Sequence, residues 1–325
     1  RFAWAYLSTG GQDIRHDERR YEMGRNFANK LWNASRFSLA NLETGHSEMG
    51  MRLDTLETAR FEVALADQWI ISRLSQTIQT ATAELEAFDL GAAIRTIYSF
   101  TWDDFCDWYI EAAKPALKAK NPTTQATLKR VLENILKLLH PFMPFITSEI
   151  YAVLNPKHGQ LAFESFPQAG EFVVDNAALE EFGKVQNAIT AVRVLRNELM
   201  IPPGQVLTVA LEGEFAGTVF AHLETFTNLS KAEIGTVSGK IINAVAPGLE
   251  VRLALEGLVD VSEYVTRAKK KKTELEKQVQ QAKNKLSNEN FVKNAPEEVL
   301  AEERRRVQDF GAQLARLEAV LAQFA

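Results

Sequence analysis

The sequence predicts a mainly α protein. An antiparallel helical bundle is expected over residues 1–155, a small α/β module over 156–263, and a C-terminal antiparallel helical hairpin, a coiled coil, over 264–325. Three observations predict it. Apolar residues recur at helical spacing through the first part of the chain, with short polar breaks between the runs. Between 206 and 255 the pattern changes to strand-like alternation. The last segment repeats apolar residues at steps of three and four, as a coiled coil does.

The opening run Arg1-Phe2-Ala3-Trp4-Ala5-Tyr6-Leu7 has the composition of a helix interior and does not begin with Met. It has none of the pattern of a secretory leader, and a piece of a longer chain is expected. The first long helix is expected over 17–42, followed by a Gly/His/Ser/Glu loop at 44–50. A second covers 54–87, with Ala66, Ile70, Leu74, Ile78, Ala81 and Leu85 on one face. A third covers 90–120, with Ile94, Ile97, Thr101, Phe105, Trp108 and Ala112 as its stripe. The fourth follows Asn121-Pro122-Thr123, and Pro141 and Pro144 are expected to kink it. Long helices joined by short loops make a bundle.

A Pro- and Gly-bearing loop at 156–175 leads to a helix at 177–199 and the turn Ile201-Pro202-Pro203-Gly204. Strands are expected at 206–211, 231–238 and 249–255, and a helix at 215–229. In the last segment Leu275, Val279, Ala282 and Leu286 form one seam. Leu300, Glu303, Val307, Phe310, Leu314, Leu317, Leu321 and Phe324 form the other, broken only at Glu303. Asn288–Ala295 is the expected connection, and Pro296 suits the first position of the returning helix. Two helices of ~25 residues give an arm of roughly 37 Å.

The most informative stretch is the first long helix. At about 100° per residue, Tyr21, Ala28, Leu31, Trp32, Leu39 and Leu42 fall on one side, an ordinary core stripe. Arg19, Asn26, Asn29, Lys30, Asn33 and Phe37 fall together within an arc of roughly 100°. A solvated face normally carries Glu and Lys, whereas Asn is a poor helix former and occurs three times here. Amides, cations and one ring are the chemistry that reads unstacked RNA bases: hydrogen bonds to base edges, charge for phosphate, a ring to stack on. The same composition suits a polar contact between helices, and both readings stay open on composition.

Net charge is −5 over 325 residues, with 46% apolar and 24% charged residues. That balance speaks against indiscriminate coating of nucleic acid. The charge is uneven, however: 264–325 carries 13 Lys+Arg against 9 Asp+Glu, a basic arm on a mildly acidic body. No apolar run reaches the ~18–20 residues a membrane span needs. The single cysteine, Cys106, excludes a disulfide framework and a multi-cysteine zinc site, and its apolar neighbours predict a buried, inert thiol. The five histidines are scattered without metal-ligand spacing. His140, before a proline, is expected to be a satisfied core histidine. Asp103, Asp104 and Asp107 are expected to be a solvated edge or partners of Arg and Lys. Lys269–Lys272 superficially suggest a phosphate loop but lack its glycines. Cations near a helix start are disfavoured by roughly 0.3–1 kcal/mol, so phosphate binding would explain their tolerance. No catalytic constellation is present.

Three segments, in order, resemble the valyl-tRNA synthetases, class I aminoacyl-tRNA ligases: Asn29-Lys30-Leu31-Trp32-Asn33-Ala34-Ser35-Arg36-Phe37, Tyr98–Glu111, and Leu138-Leu139-His140-Pro141-Phe142-Met143-Pro144–Tyr151. The resemblance runs over essentially the whole chain. It implies an anticodon-binding bundle, a junction domain and a C-terminal coiled-coil arm lying against the outer corner of the tRNA. It implies that Arg19, Asn29, Lys30, Asn33 and Phe37 bind the anticodon, with Phe37 stacking on a base, and that Lys269, Lys270, Lys271 and Lys272 bind tRNA backbone. Trp32 is assigned to packing. The family's ATP-binding signatures, of His-Ile-Gly-His and Lys-Met-Ser-Lys-Ser type, are absent, so no cofactor is expected on these residues. ATP would belong to a catalytic core elsewhere in the parent chain, and these residues alone would be inactive. The implied partners are valine-accepting tRNA and the catalytic and editing domains of the same parent, with no membrane and no metal, in the cytoplasm. Isoleucyl and leucyl enzymes share the bundle, but the first commonly ends in a cysteine-bearing zinc module and the second lacks the long hairpin. A coiled-coil scaffold is the reading from a different class, and salt dependence of binding separates it from the others.

Overall fold

The computed structural model describes residues 1–8, 19–42, 63–157, 159–255, 257–258, 261–288, 291 and 297–322. The loop expected at 44–50, the helical turns expected at 54–62, Pro296, Phe324 and three of the histidines (His16, His46, His158) lie outside them. The architecture is mainly α with one small mixed sheet, as the periodicity predicts. The chain divides into two compact units, residues 1–185 and 186–325.

The first unit contains α1 (Phe2–Leu7), α2 (Arg19–Asn41), α3 (Leu65–Glu86), α4 (Leu90–Ser99), α5 (Ile110–Lys118), α6 (Pro122–Leu139) and α7 (Pro144–Leu154). A π-helical stretch, Phe100–Tyr109, joins α4 to α5 without a break. It changes the expected stripe. In a π-helix the hydrogen bonds run i→i+5, so successive inward positions are spaced more widely than in an α-helix. Phe105 is therefore followed inward by Tyr109, fully buried, and Trp108 is only half-buried.

Asp89 caps α4 by accepting from the Ala92 amide at 2.8 Å. Gly91 is required there, since a Cβ would stand 2.0 Å from the Ser8 carbonyl oxygen. Arg95 donates to the Tyr6 and Ser8 carbonyls at 3.1 and 3.3 Å and so fastens α1 to α4. Asn121 caps α6, accepting from the amides of Thr123 and Thr124, with Pro122 at the first helical position. Pro141 and Pro144 do more than kink the fourth helix. α6 stops at Leu139 and α7 restarts with Pro144 in its first turn, where a missing N–H costs nothing.

Asp67, 1% exposed, crosslinks this core. It accepts from the Tyr109 hydroxyl at 2.6 Å and from Thr124 Oγ1 at 2.7 Å, joining α3, the π stretch and α6. Burial pushes its carboxyl up to about 6, against the lowering effect of the two hydrogen bonds.

α8 (Asn176–Glu198) runs from the first unit into the second. Within the first unit its Phe182 stacks on Trp69 of α3, with ring centroids 4.3 Å apart. The second unit continues with β1 (Leu207–Glu212), α9 (Ala216–Ala221), α10 (Leu223–Ser230), β2 (Ala232–Ile234), β3 (Ile241–Ala246), β4 (Leu249–Ala254), α11 (Val261–Ser287) and α12 (Glu297–Ala322). The sheet order is β2-β1-β4-β3. β1 and β2 are parallel, and the other pairs are antiparallel. β3 has no counterpart in the sequence reading. Its signal is the Pro247-Gly248 pair, which turns β3 into β4 with Gly248 at φ 67°. The helix expected at 215–229 is two helices meeting at His222. Arg196 is buried, and its guanidinium donates to four carbonyls: Pro202 and Gln205 at 2.8 Å, Ser230 and Lys231 at 3.2 Å. One side chain thus fixes both the Pro202-Pro203-Gly204 turn and the corner from α10 to β2.

α11 and α12 pack along each other. Lys285 meets Glu303 and Lys272 meets Glu318, so one helix falls in number as the other rises, and the hairpin is antiparallel. Leu275, Val279, Ala282 and Leu300 are buried in the seam. The polar break, Glu303, is buried too and is neutralised by Lys285 Nζ at 2.7 Å.

Candidate nucleic-acid interface

α2 shows how its own sequence divides it. Phe27, Leu31 and Ala34 are buried, as are Ser35 and Ser38. The two serines bury without penalty because each hydroxyl donates to the carbonyl four residues back, Ser35 to Leu31 at 2.8 Å and Ser38 to Ala34 at 2.9 Å. Small residues at 34, 35 and 38 are what let the helix sit close to its neighbours. On the other side Arg25, Asn26, Asn29, Asn33 and Arg36 are exposed.

The expected amide face is therefore outward. The outward direction, however, is rotated by roughly 60° from the centre of the expected arc, at about 100° per residue. Two corrections follow. Trp32, assigned to packing, is 42% exposed and stands on the outward face between Asn29 and Arg36. Its apolar character drew it to the core stripe, where Ser35 and Ser38 in fact sit. Lys30 and Phe37 lie at the flank of the face.

Lys30 Nζ is 2.5 Å from Asp107 Oδ1 and 3.8 Å from the centroid of the Trp102 ring. Trp102 and Asp107 are five residues apart. In an α-helix they would point about 140° apart, but the π-helical stretch brings residues at i and i+5 to one side. Phe37 is half-buried, with Lys114 Nζ 5.8 Å from its centroid. Arg19 is the first residue of α2, and its side chain lies outside the described residues.

The acidic trio is taken up structurally. Asp104 accepts from Arg73 at 2.9 Å, Asp107 from Lys30, and Asp103 from Ser99 at 2.8 Å. The Cys106 thiol is half-buried, and burial pushes it up to about 12, so a thiolate is not available at neutral pH. His140 shares a hydrogen bond with Thr147 Oγ1 at 2.9 Å, and burial lowers its pKa. Among the described residues no group of three or more His, Cys, Asp or Glu side chains is placed to hold a metal ion. Among them, too, no helix is long and apolar enough to cross a membrane.

The arm carries the second candidate surface. Lys269, Lys270 and Lys271 are exposed. Lys272 is not equivalent to them, because it is paired with Glu318 at 2.8 Å and Glu276 at 3.7 Å. α11 begins at Val261, two turns earlier than the lysines, so the helix dipole, which acts only in the first turn, does not disfavour them. What marks the run is exposure and density of charge.

Residues 67–211, from α3 into β1, match the family model described as the anticodon-binding domain of tRNA ligase, which places that stretch in the aminoacyl-tRNA synthetase class. Residues 260–325 match the model of the valyl tRNA synthetase tRNA binding arm. The chain belongs to the valyl-tRNA synthetase family and corresponds to its C-terminal part. It is 48% identical to a valine–tRNA ligase of Deinococcus radiodurans over 99% of this chain and 38% of that one. With the Thermus thermophilus ligase the identity is 44%, over 99% of this chain and 36% of that one. With the Bacillus subtilis ligase it is 38%, over 94% and 36%. The chain thus spans a little over a third of the length of the curated relatives it matches. A solved LeuRS–tRNA–LeuAMS complex from Agrobacterium radiobacter K84 aligns with a TM-score of 0.37 at 20% identity, over 55% of this chain and 20% of that one. A likeness that slight carries no argument.

Proposed function

We propose that this chain is the tRNA-recognising region of a valine–tRNA ligase. The observation that carries the reading is the outward face of α2: three exposed amides, Asn26, Asn29 and Asn33, flanked by cations, on a helix whose opposite side is fully packed. Asn29 and Asn33 hydrogen-bond base edges of the anticodon loop, and Phe37 and Lys30 border the same site. Arg19 adds a cation at the start of the helix. Lys269, Lys270 and Lys271 hold phosphates on the outer corner of the tRNA, and Lys272 belongs to the run in sequence. On this reading the bundle expected over 1–155, the module over 156–263 and the arm over 264–325 serve for reading, connection and holding. ATP-dependent activation of valine, and editing, belong to parts of the synthetase outside these residues. This chain alone neither activates valine nor charges tRNA, and its place is the cytoplasm, where translation occurs.

The test is a binding titration with two tRNA transcripts that differ only in the anticodon, at several salt concentrations. Tighter binding of the valine transcript, weakening steeply with salt, supports the reading. Equal, salt-insensitive binding would leave a coiled-coil scaffold as the better account. Pyrophosphate exchange dependent on valine by the purified chain would show that catalysis had been wrongly placed.

A further inference from the structure

We infer that Trp32 and Arg36 form a second stacking element on the outward face of α2, an indole platform with a neighbouring guanidinium that takes an unpaired base of the bound RNA loop and its phosphate. The inference rests on the tRNA-binding reading above and deepens it by naming a binding residue outside the expected set.

Four observations carry it. Trp32 is 42% exposed, whereas Phe27, the other large aromatic in the middle of α2, is buried and stacks on Phe2 with centroids 4.7 Å apart. Trp32 has neither a ring contact nor a hydrogen-bond partner among the described residues. Trp102 differs in this respect, because it lies under Lys30 and against Tyr98 at 5.6 Å. The neighbours of Trp32 on the helix surface are Asn29 at i−3 and Arg36 at i+4, and Asn33 adjoins it. All three are exposed, and Arg36 has no carboxylate partner among the described residues.

The occupant follows from chemistry. An apolar partner helix would press on Asn29, Asn33 and Arg36 to one side of the indole, and these would lose water without gaining partners, while Ala28 and Ser35 border its other side. An unpaired base satisfies each group. Its π-face covers the indole, its edge meets the amides, and its phosphate meets the guanidinium. Every base has a π-face, so Trp32 contributes affinity, and the amides beside it contribute the choice of base.

The experiment is a titration of the 325-residue chain with the valine-anticodon transcript, following both affinity and tryptophan fluorescence, for the unaltered protein, Trp32→Phe, Trp32→Ala and Arg36→Gln. Stacking by an aromatic ring is retained by Phe and abolished by Ala. The expected result is binding weakened about tenfold or more by Trp32→Ala. Trp32→Phe should stay within about threefold of the unaltered chain, and the RNA-induced quenching should largely disappear in it, since Trp32 is the tryptophan being covered. Arg36→Gln is expected to weaken binding and to flatten its salt dependence. Thermal melts are expected to be unchanged by Trp32→Phe. If Trp32→Ala binds as the unaltered chain does, or Trp32→Phe keeps the full quenching, the inference is overturned while the tRNA-binding reading stands. If the unaltered chain binds no tRNA, both are overturned. Should Trp32→Ala fail to fold, the quenching in Trp32→Phe decides the matter.

Discussion

Lys30 is held by Asp107: its Nζ lies 2.5 Å from Oδ1, over the face of Trp102. A residue expected to reach for RNA is thus already committed to the π-helical stretch, and its lysine side chain retains 23% exposure. A paired cation has little charge left for a phosphate. Lys30→Gln is therefore expected to change the slope of log affinity against log salt by much less than the roughly 0.7–0.9 of one full phosphate contact. Asp107→Asn frees the ammonium and should steepen that slope. In urea unfolding, the coupling between the two positions from a double-mutant cycle should be about 0.5–1 kcal/mol, as for a partly exposed pair. A Lys30→Gln slope change equal to that of an exposed lysine would mean that the pair opens on binding.

The two sides of α2 should separate stability from recognition. Leu31→Ala removes a fully buried side chain and should destabilise the first unit by roughly 2–5 kcal/mol, seen as a lower urea midpoint. Asn29→Ala and Asn33→Ala remove exposed amides from helix positions where Ala is the better helix former. They should leave the midpoint unchanged or slightly raised and should reduce the preference for the valine anticodon. An asparagine variant that lowers the midpoint as Leu31→Ala does would make this face a helix contact, the other reading its composition allowed.

How much of this was legible in the sequence can be read from α2 itself. The stripe of period 3.6 predicts a helix over 17–42; among the described residues Arg19–Asn41 are helical, one residue short of the expected end, and the expected start lies outside them. Three amides on one arc gave the outward side. Trp32 was misplaced because hydrophobicity alone cannot tell a core indole from an exposed one. The correcting signal, small residues at 34, 35 and 38, depends on how closely another helix approaches. The π-helical stretch was illegible for a related reason. Phe105, Trp108 and Tyr109 are all apolar, so spacings of three and four fit equally well, and tertiary contacts such as Tyr109 with Asp67 select one. In the arm, the polar gap at Glu303 was visible, but its partner Lys285 belongs to the other helix and emerges only from the pairing register.

Asp67 should make the stability of the bundle depend on pH in an unusual direction. Its carboxyl is pushed up from 3.8 to about 6 by burial, so the folded state holds the proton more tightly than the unfolded one. Stability from this group is fully present below pH ~4 and is lost as pH rises through about 6, a change of roughly 3 kcal/mol. Most paired carboxylates act the other way, so the readout is the difference between the unaltered chain and Asp67→Asn. Asn keeps an acceptor for Tyr109 or Thr124 but does not titrate. Relative to the unaltered chain, Asp67→Asn should gain stability as pH is raised from about 4 to 7. A pH-independent difference in urea unfolding free energy would show that Asp67 is ionised throughout.

The arm lysines should divide three against one. Lys269, Lys270 and Lys271 are exposed, and Lys272 is engaged with Glu318 of the facing helix. Phosphate contacts carry no sequence information. Replacing Lys269, Lys270 and Lys271 together by Gln should therefore weaken binding to valine and non-valine tRNAs by a similar factor. Each phosphate no longer neutralised should flatten the log-affinity against log-salt slope by about 0.7–0.9, so the triple variant should drop up to roughly 2–3 units of slope. Lys272→Gln should leave the slope nearly unchanged and act on the hairpin, loosening α12 from α11 by an amount that circular dichroism on heating can follow. The discriminating measurement is the salt series on both tRNAs for both variants. A triple variant whose weakening is confined to the valine anticodon would make the arm a reader of sequence. A slope flattened by Lys272→Gln as much as by an exposed lysine's replacement would mean that RNA takes that lysine from Glu318.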